Sequence, residues 1–287
     1  MKSDFSPSRR AWNVIMTAVV WAAAVLVIAL TVGVIGLVLV RGIPHISWKF
    51  LSTTASVLKK TDGILPAILN TLYVIVLTLL IVLPLGVGAA VYLTEYASNR
   101  KLIEVIEFTN ETLAGIPSII YGLVGMLVLV PGIRKVFHLA DGASLLAAII
   151  VLAIMILPLI MRTAEEALMA VPDSYREGSF GLGAGRLRTV FRIVLPAAGP
   201  GILSGVILGI GRIVGETAAL IFTAGTMAQI PGLTQSGRTL AIHMYVLSNE
   251  GLHKNEANAT AVVLLVIVLL INGVSSLIAK RFEAVKE

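Results

Sequence analysis

Long apolar stretches separated by short polar segments dominate the pattern of this sequence. The first runs without a charged residue from Ala11 to Val40. A helix needs about 20 apolar residues to cross the hydrocarbon core of a bilayer, so this stretch predicts a membrane-spanning helix. It is also too long for the apolar part of a signal peptide, which favours a retained anchor. Five similar stretches follow, near Leu65–Leu93, Leu113–Pro131, Ser144–Met161, Gly199–Thr223 and Thr260–Ala279.

The six stretches predict an all-α, polytopic membrane protein with about six transmembrane helices. Composition points the same way, because 57% of the residues are hydrophobic and 13% are charged, against about 25% charged in soluble domains. We expect residues 1–60 to form an N-terminal tail, the first transmembrane helix and an external loop. Residues 61–287 would then form a five-helix core.

Lysine and arginine are distributed unequally between the two sides of this topology. With the N-terminus inside, thirteen of them lie in inside segments and eight in outside segments, and Arg212 lies within a span. Cytoplasmic loops carry the excess of basic residues, so we expect both termini to face the cytoplasm. The net charge of +6 is accounted for in the same way. No basic run is interleaved with aromatic residues, so nucleic-acid binding is not expected.

Residues that would support catalysis or metal binding do not form recognisable patterns. The chain has no cysteine, and its four histidines show no metal-binding spacing. It contains no P-loop, no nucleophile elbow and no zinc-protease motif. We therefore expect no catalytic residue, no metal and no bound cofactor. A repeat of small residues every four positions, at Gly201, Gly205 and Gly209, predicts a close helix contact.

The segment of about residues 162–196 is the longest one on the predicted inner side. Pro172 suits the first turn of a short helix, and the glycines that follow allow a tight reversal. Arg186–Val194 predicts a second short helix, which Pro196 would end. The segment is either a solvated loop or a lever that docks into a partner protein.

Spacing within this segment resembles the signature E-A-A-x3-G-x9-I-x-L-P of the binding-protein-dependent importer permeases. The matching positions are Glu177, Gly178, Ser179, Gly183, Ile193, Leu195 and Pro196. Gly178 and Ser179 depart from the two alanines of the signature, but both remain small. The resemblance implies a type I ABC importer permease fold, in which this segment is the coupling helix that docks on a cytoplasmic ATPase.

Further motifs resemble the phosphate importer permeases of the PstA type, over about residues 60–285. They are Gly115–Gly122, Gly211–Leu220, and Asn70-Thr-Leu-Tyr leading to Tyr92-Leu-Thr-Glu-Tyr96. The resemblance implies a subunit that passes inorganic phosphate across the bacterial cytoplasmic membrane. A PstC-type permease, a permease for another solute, and an uncoupled channel or structural membrane protein remain alternatives.

The same resemblance implies a set of partners. They are a PstC-type permease that completes a heterodimer, a dimer of cytoplasmic ATPase subunits, an extracytoplasmic phosphate-binding protein, and membrane lipids. ATP and Mg²⁺ would bind to the ATPase subunits, so this chain would not itself be an enzyme.

Two charged residues, Arg212 and Glu216, interrupt the fifth apolar stretch. A charge at a helix centre costs about 2.5–3.5 kcal/mol on insertion scales, and the i, i+4 spacing predicts that the two side chains pair. They either form a neutralised structural pair or line a pore, where the guanidinium fork suits phosphate oxygens. Thr217 could add a hydroxyl. In the resembled family, the matching arginine and glutamate are associated with phosphate passage.

The topology can be tested by cysteine labelling, which is clean because the chain has no native cysteine. A cysteine placed near Lys286 should resist a membrane-impermeant maleimide in intact cells and react after permeabilisation. A cysteine near Lys254, on the predicted outer side, should react in intact cells and serves as the control. External labelling near Lys286 would contradict the predicted topology.

Overall fold

Within the residues that the computed structural model describes, six helical segments are long and apolar enough to cross a membrane, as the sequence predicts. The structure describes residues 7–56, 61–139, 141–250 and 254–284. Four residues of the charge count, Lys2, Lys59, Lys60 and Lys286, lie outside the described residues. The six segments are Ala11–His45, Leu65–Tyr96, Ser118–Phe137, Leu145–Met169, Arg186–Gly215 and Lys254–Leu277.

The described elements are helical apart from one short hairpin. Its strands β1 (Thr54–Ser56) and β2 (Thr61–Ile64) are antiparallel. The α-helices are α1 (Pro7–Gly42), α2 (Trp48–Ser52), α3 (Leu65–Val91), α4 (Arg100–Gly115), α5 (Ser118–Val124), α6 (Val130–Phe137), α7 (Leu145–Met169), α8 (Asp173–Gly181), α9 (Arg186–Thr189), α10 (Leu195–Gly215), α11 (Ala218–Thr223), α12 (Leu240–Glu250) and α13 (Lys254–Ala284). Shorter helical turns are a 3₁₀ turn at Ile43–His45 and π-helical turns at Tyr92–Tyr96, Gly125–Leu129 and Val190–Val194.

Helix α7 lies at the centre of the core, packed between α3 and α10. Its buried face includes Leu152, Ile156 and Ile160, which join buried residues of both neighbours in one apolar cluster. Helix α1 packs instead along α13, and most of its apolar side chains are exposed. Such a surface suits contact with lipid tails, because the tails are as apolar as the side chains that face them.

A face of small residues on α10 makes the close helix contact that the sequence predicts. A Cβ atom on Gly201 would come within 2.6 Å of the Ala167 Cβ, and one on Gly205 would overlap Thr163. Gly209 faces Ile160 of the same helix, α7. Because the residues at these positions are small, the backbone of α10 can pack closely against α7.

The third and fifth spans differ from their predicted boundaries because each adjoins a helix break. We expected one span over Leu113–Pro131, but α4 ends at Gly115 and the span begins at Ser118. Ile116 is extended, with ψ at 128°, because a residue before proline avoids the helical region. The fifth span was expected to run to Thr223, but α10 ends at Gly215 and α11 starts at Ala218.

Pro196 does not end a helix, which corrects the prediction for this position. Helix α9 continues through the π turn into α10. The Leu195 N–H donates to the Val190 carbonyl, five residues back. In a regular helix the proline ring would clash with the carbonyl four residues back, and the missing N–H would leave that carbonyl without a donor. The wider turn just before the proline relieves both problems.

Polar side chains near the start of α3 fix the segment between α11 and α12. The Asn70 amide donates to the carbonyls of Gln229 and Arg238, at 3.0 and 3.1 Å, and the Thr71 hydroxyl accepts from the Leu240 N–H at 2.9 Å. His243 is buried nearby. Burial, and to a lesser extent the charge of Arg238, lower its pKa to about 3, so the imidazole is neutral.

The α7–α10 contact predicts unequal effects for two glycines of one helix. Gly205→Ala should lower the stability by roughly 1–3 kcal/mol, because the new methyl group overlaps Thr163. Gly199→Ala is the matched control, since nothing lies within 4 Å of its Cβ position. Thermal unfolding of the purified protein in detergent measures both. Equal midpoints for the two variants would contradict the close contact.

Candidate functional site

The helix breaks beside the third and fifth spans adjoin each other. One break, at Ile116 and Pro117, precedes α5, and the other, at Glu216 and Thr217, precedes α11. Helices α5 and α11 pack closely, because a Cβ atom on Gly122 would lie 2.8 Å from the Ala219 Cα. Both interruptions therefore adjoin the same helix contact.

Side chains satisfy backbone groups that the two breaks release. The Tyr121 hydroxyl donates to the Leu113 carbonyl at 2.7 Å, in the last turn of α4. The Glu216 carboxylate accepts from the Ala219 N–H at 3.0 Å, in the first turn of α11. Negative charge at a helix N-terminus is also favoured by the helix dipole.

Glu216 does not pair with Arg212, which corrects the i, i+4 prediction. That spacing brings two side chains together only if the helix continues between them. Here α10 ends at Gly215, and Glu216 is extended, with φ −73° and ψ 121°. The carboxylate is turned to its own N–H partner in α11 instead.

Arg212 is exposed on the last turn of α10. Among the described residues, its guanidinium makes no salt bridge and no hydrogen bond to another side chain or carbonyl. The Thr217 hydroxyl donates to the Gly215 carbonyl at a long 3.4 Å. Arg212 therefore offers five N–H donors to a ligand with several acceptor oxygens.

The coupling segment predicted at residues 162–196 contains a short helix, α8, followed by a reversal into α9. We call residues 170–189 the α8–α9 loop. Pro172 precedes α8 as its N-cap rather than lying in the first turn. Gly183 has a φ of +78°, and nothing lies within 4 Å of its Cβ position. Backbone conformation therefore requires glycine there, rather than close packing inside this chain.

The signature residues divide into an exposed group and a buried group. Glu177, Gly178 and Gly183 are exposed, so a partner protein could reach them. Ser179 is buried, and its hydroxyl lies 2.8 Å from that of Thr189, which links α8 to α9. The remaining members, Ile193, Leu195 and Pro196, lie at the π turn where α10 begins.

Sequence reasoning missed an ion pair between Glu95 and Arg176. The Arg176 Nη2 lies 2.7 Å from the Glu95 Oε1, and both side chains are largely buried. The available signal was an acidic residue at the end of the second apolar stretch, within the Tyr92–Tyr96 motif. Nothing in the sequence indicated its partner 81 residues away.

The fold of this chain is similar to the folds of solved transporter structures. The fold resembles that of an alginate ABC transporter in complex with its periplasmic protein, with a TM-score of 0.65 and 18% identity over 95% of this chain and 96% of that one. It also resembles the MetNI methionine ABC transporter, with a TM-score of 0.60 and 24% identity over 77% and 94%. These matches define a type I ABC importer permease fold.

The family model of the binding-protein-dependent transport system inner membrane component matches residues 82–285. The chain belongs to this family, and it is therefore a permease subunit of an ABC importer.

Curated relatives extend the similarity to nearly the whole chain. The probable ABC transporter permease YqgI of Bacillus subtilis is 31% identical over 92% of this chain and 94% of its own length. The phosphate transport permease PstC of Mesorhizobium japonicum is 32% identical over 95% and 91%. PstA 1 of Mycobacterium tuberculosis is 34% identical over 78% and 72%.

Proposed function

We propose that this permease subunit passes inorganic phosphate inward across the bacterial cytoplasmic membrane, as the PstA-type member of an ATP-driven importer. The observation that carries the proposal is the exposed Arg212 guanidinium beside two helix breaks. Similarity to several phosphate permeases supports the choice of solute.

Arg212 has the chemistry that a tetrahedral oxyanion requires. Its planar fork presents paired N–H groups that match two oxygens of one phosphate. A charge within a span costs several kcal/mol when no ligand or partner compensates it. Since Glu216 caps α11 instead of pairing with Arg212, the guanidinium stays available to an anion.

Glu216 and Thr217 contribute by stabilising the helix break between α10 and α11 rather than by binding the solute. The Glu216 carboxylate fixes the start of α11, and Thr217 bonds back to the end of α10. Together they keep Arg212 at the end of a helix. We infer a pathway in which Arg212 contacts phosphate transiently.

The α8–α9 loop would receive the driving force from a dimer of cytoplasmic ATPase subunits. Glu177 is exposed and has no salt bridge within the described part of the chain, so it can meet a basic residue of a partner. The complete importer would include a PstC-type permease and an extracytoplasmic phosphate-binding protein. ATP and Mg²⁺ would bind to the ATPase. With this loop in the cytoplasm, six spans place both termini there too.

A PstC-type role is the second candidate. Its support is the match to the Mesorhizobium permease, which covers more of this chain than the match to PstA 1 does. Complementation separates the two roles. The transporter's subunits are expressed in cells without other phosphate importers, with either the PstA-type or the PstC-type permease left out. We expect this chain to restore phosphate uptake when the PstA-type permease is the one left out.

Arg212 variants test the solute pathway. Arg212→Ala should lower phosphate uptake about tenfold or more, since charge-assisted hydrogen bonds contribute roughly 1.5–3 kcal/mol each. Arg212→Lys should fall between, because it keeps the charge and loses the fork. Glu216→Gln should be milder, because its amide oxygen can still cap α11. Radiolabelled phosphate uptake in cells without other phosphate importers measures the effect.

Membrane abundance, checked by immunoblot, accompanies each Arg212 variant. Arg134→Ala is the matched control, because Arg134 is an exposed arginine in the last turn of α6. Its uptake should stay near wild type. Normal uptake by Arg212→Ala at normal abundance would reject the pathway role, and loss of the protein from the membrane would favour a structural one.

Gly183 tests the docking role of the α8–α9 loop. Gly183→Val should leave membrane insertion intact and uncouple ATP hydrolysis from uptake, because a β-branched residue disfavours a positive φ. Gly183→Asn should retain more activity, since asparagine tolerates this conformation.

The control for Gly183 is Gly185→Val. Gly185 is extended, with φ −74° and ψ 161°, and its Cβ position is open. Uptake and ATPase activity of the reconstituted transporter are the measurements. Equal coupling in Gly183→Val and Gly185→Val would show that the Gly183 conformation does not matter for docking.

A further inference from the structure

Helix α8 is attached to the rest of the chain by polar contacts rather than by apolar packing. Its one buried residue is Ser179, which bonds to Thr189 of α9. Tyr175 and Phe180, its aromatic residues, are exposed. A helix without a buried apolar face depends on directional contacts for its position.

The strongest of these contacts is the Glu95–Arg176 ion pair. The Arg176 Nη2 and Nε lie 2.7 and 3.1 Å from the Glu95 Oε1. The side chains are 17% and 8% exposed, so solvent screens this pair less than a surface pair. Removing the Arg176 charge would leave the Glu95 carboxylate buried without compensation. Neutralising Glu95 would leave Arg176 only the exposed Asp173, whose Oδ1 lies 3.3 Å from its Nη1.

Arg176 also contacts the C-terminal end of α7. Its Nη2 donates to the Leu168 carbonyl at 3.1 Å, and its Nη1 donates to the Val171 carbonyl at 2.8 Å. Helix ends leave carbonyls without intrahelical partners, and an arginine satisfies them well. One guanidinium therefore joins the end of α3, the end of α7 and the start of α8.

The π turn that ends α3 holds both halves of the α8–α9 loop through consecutive residues. Glu95 binds Arg176 in α8, and the Tyr96 ring lies 5.4 Å beneath the Arg186 guanidinium of α9. The turn is closed by the Ala97 N–H, which donates to the Tyr92 carbonyl at 2.8 Å. π turns of this kind are frequent at functional sites.

Arg176 and its neighbour Glu177 point in different directions. Glu177 is exposed, and Arg176 reaches inward to the two spanning helices. A force applied to the outer surface of α8 would therefore reach α3 and α7 through Arg176.

We propose that the Glu95–Arg176 pair is the joint that transmits movement of α8 to the spanning helices α3 and α7. Both are positioning residues that set how much solute moves for each ATP hydrolysed. This proposal rests on the docking role of α8 proposed above.

The test uses the complete transporter reconstituted in vesicles, with its ATPase and binding protein. Arg176→Gln and Glu95→Gln should each lower phosphate taken up per ATP hydrolysed by about fivefold or more, while the ATPase subunit co-purifies at the wild-type ratio. The double variant should be no worse than Arg176→Gln alone, because the Glu95 contact is already lost when Arg176 is replaced. Arg176→Lys should be intermediate, since an ammonium cannot serve Glu95 and both carbonyls together.

Arg100→Gln is the matched control. Arg100 pairs with Glu104 at 3.2 Å, but their side chains are 92% and 62% exposed. Its uptake-to-hydrolysis ratio should equal that of the wild type. If the neutral variants do not reach the membrane, Glu95→Asp keeps the charge, shortens the reach and should show a partial loss.

Three results would overturn the proposal. The first is a wild-type ratio of phosphate uptake to ATP hydrolysis in both neutral variants. The second is a wild-type ratio in Glu95→Asp, if the neutral variants do not reach the membrane. The third is a loss of ATPase binding that parallels the loss of uptake. The last would show that the pair shapes the docking surface and transmits nothing. Failure of the proposed function is seen separately, because the wild-type chain would then show no ATP-driven phosphate uptake.

Discussion

Backbone hydrogen bonding inside the bilayer is the constraint on which this structure depends. No water is available there, so every interrupted helix must find internal partners for the N–H and C=O groups it releases. The chain breaks its helices at the ends of two spans and supplies those partners from side chains. Tyr121 serves the end of α4, and Glu216 serves the start of α11. Because Glu216 is engaged in this way, Arg212 has no ion-pair partner within the part of the chain that the structure describes, and its guanidinium is available for the proposed anion.

Two prolines in the spans, Pro131 and Pro196, are accommodated by π-helical turns. At Val130 and at Leu195, the residue before a proline closes a π turn with an i→i−5 bond, to Gly125 and to Val190 respectively. The wider turn removes the clash that proline causes in a regular helix. Each π turn also adds a residue to the helix, which shifts the side chains beyond it. In the Tyr92–Tyr96 turn, Glu95 and Tyr96 contact the α8–α9 loop.

The sequence predicted the six spans, the α8 helix and the small-residue face of α10, because each depends on local composition or spacing. It did not predict the helix breaks, since a hydropathy window reads Leu113–Pro131 as continuous. The Arg212–Glu216 pairing was wrong for the same reason, because i, i+4 logic assumes an unbroken helix. Glu95 and Arg176 are 81 residues apart, and only the packing of α3 against α7 brings them together.

The contrast between two ion pairs indicates why the α8–α9 loop is held by charge. An exposed pair such as Arg100–Glu104 contributes about 0–1 kcal/mol. Breaking a buried pair by removing one partner costs about 3–5 kcal/mol, although apolar residues in place of both can be as stable. Stability alone would therefore favour an apolar contact beneath α8. Apolar packing is non-directional, whereas the guanidinium of Arg176 fixes distance and angle to α3 and α7 at once. In the coupling role that we propose, the loop delivers movement in a defined direction, and it needs that geometry more than it needs additional stability.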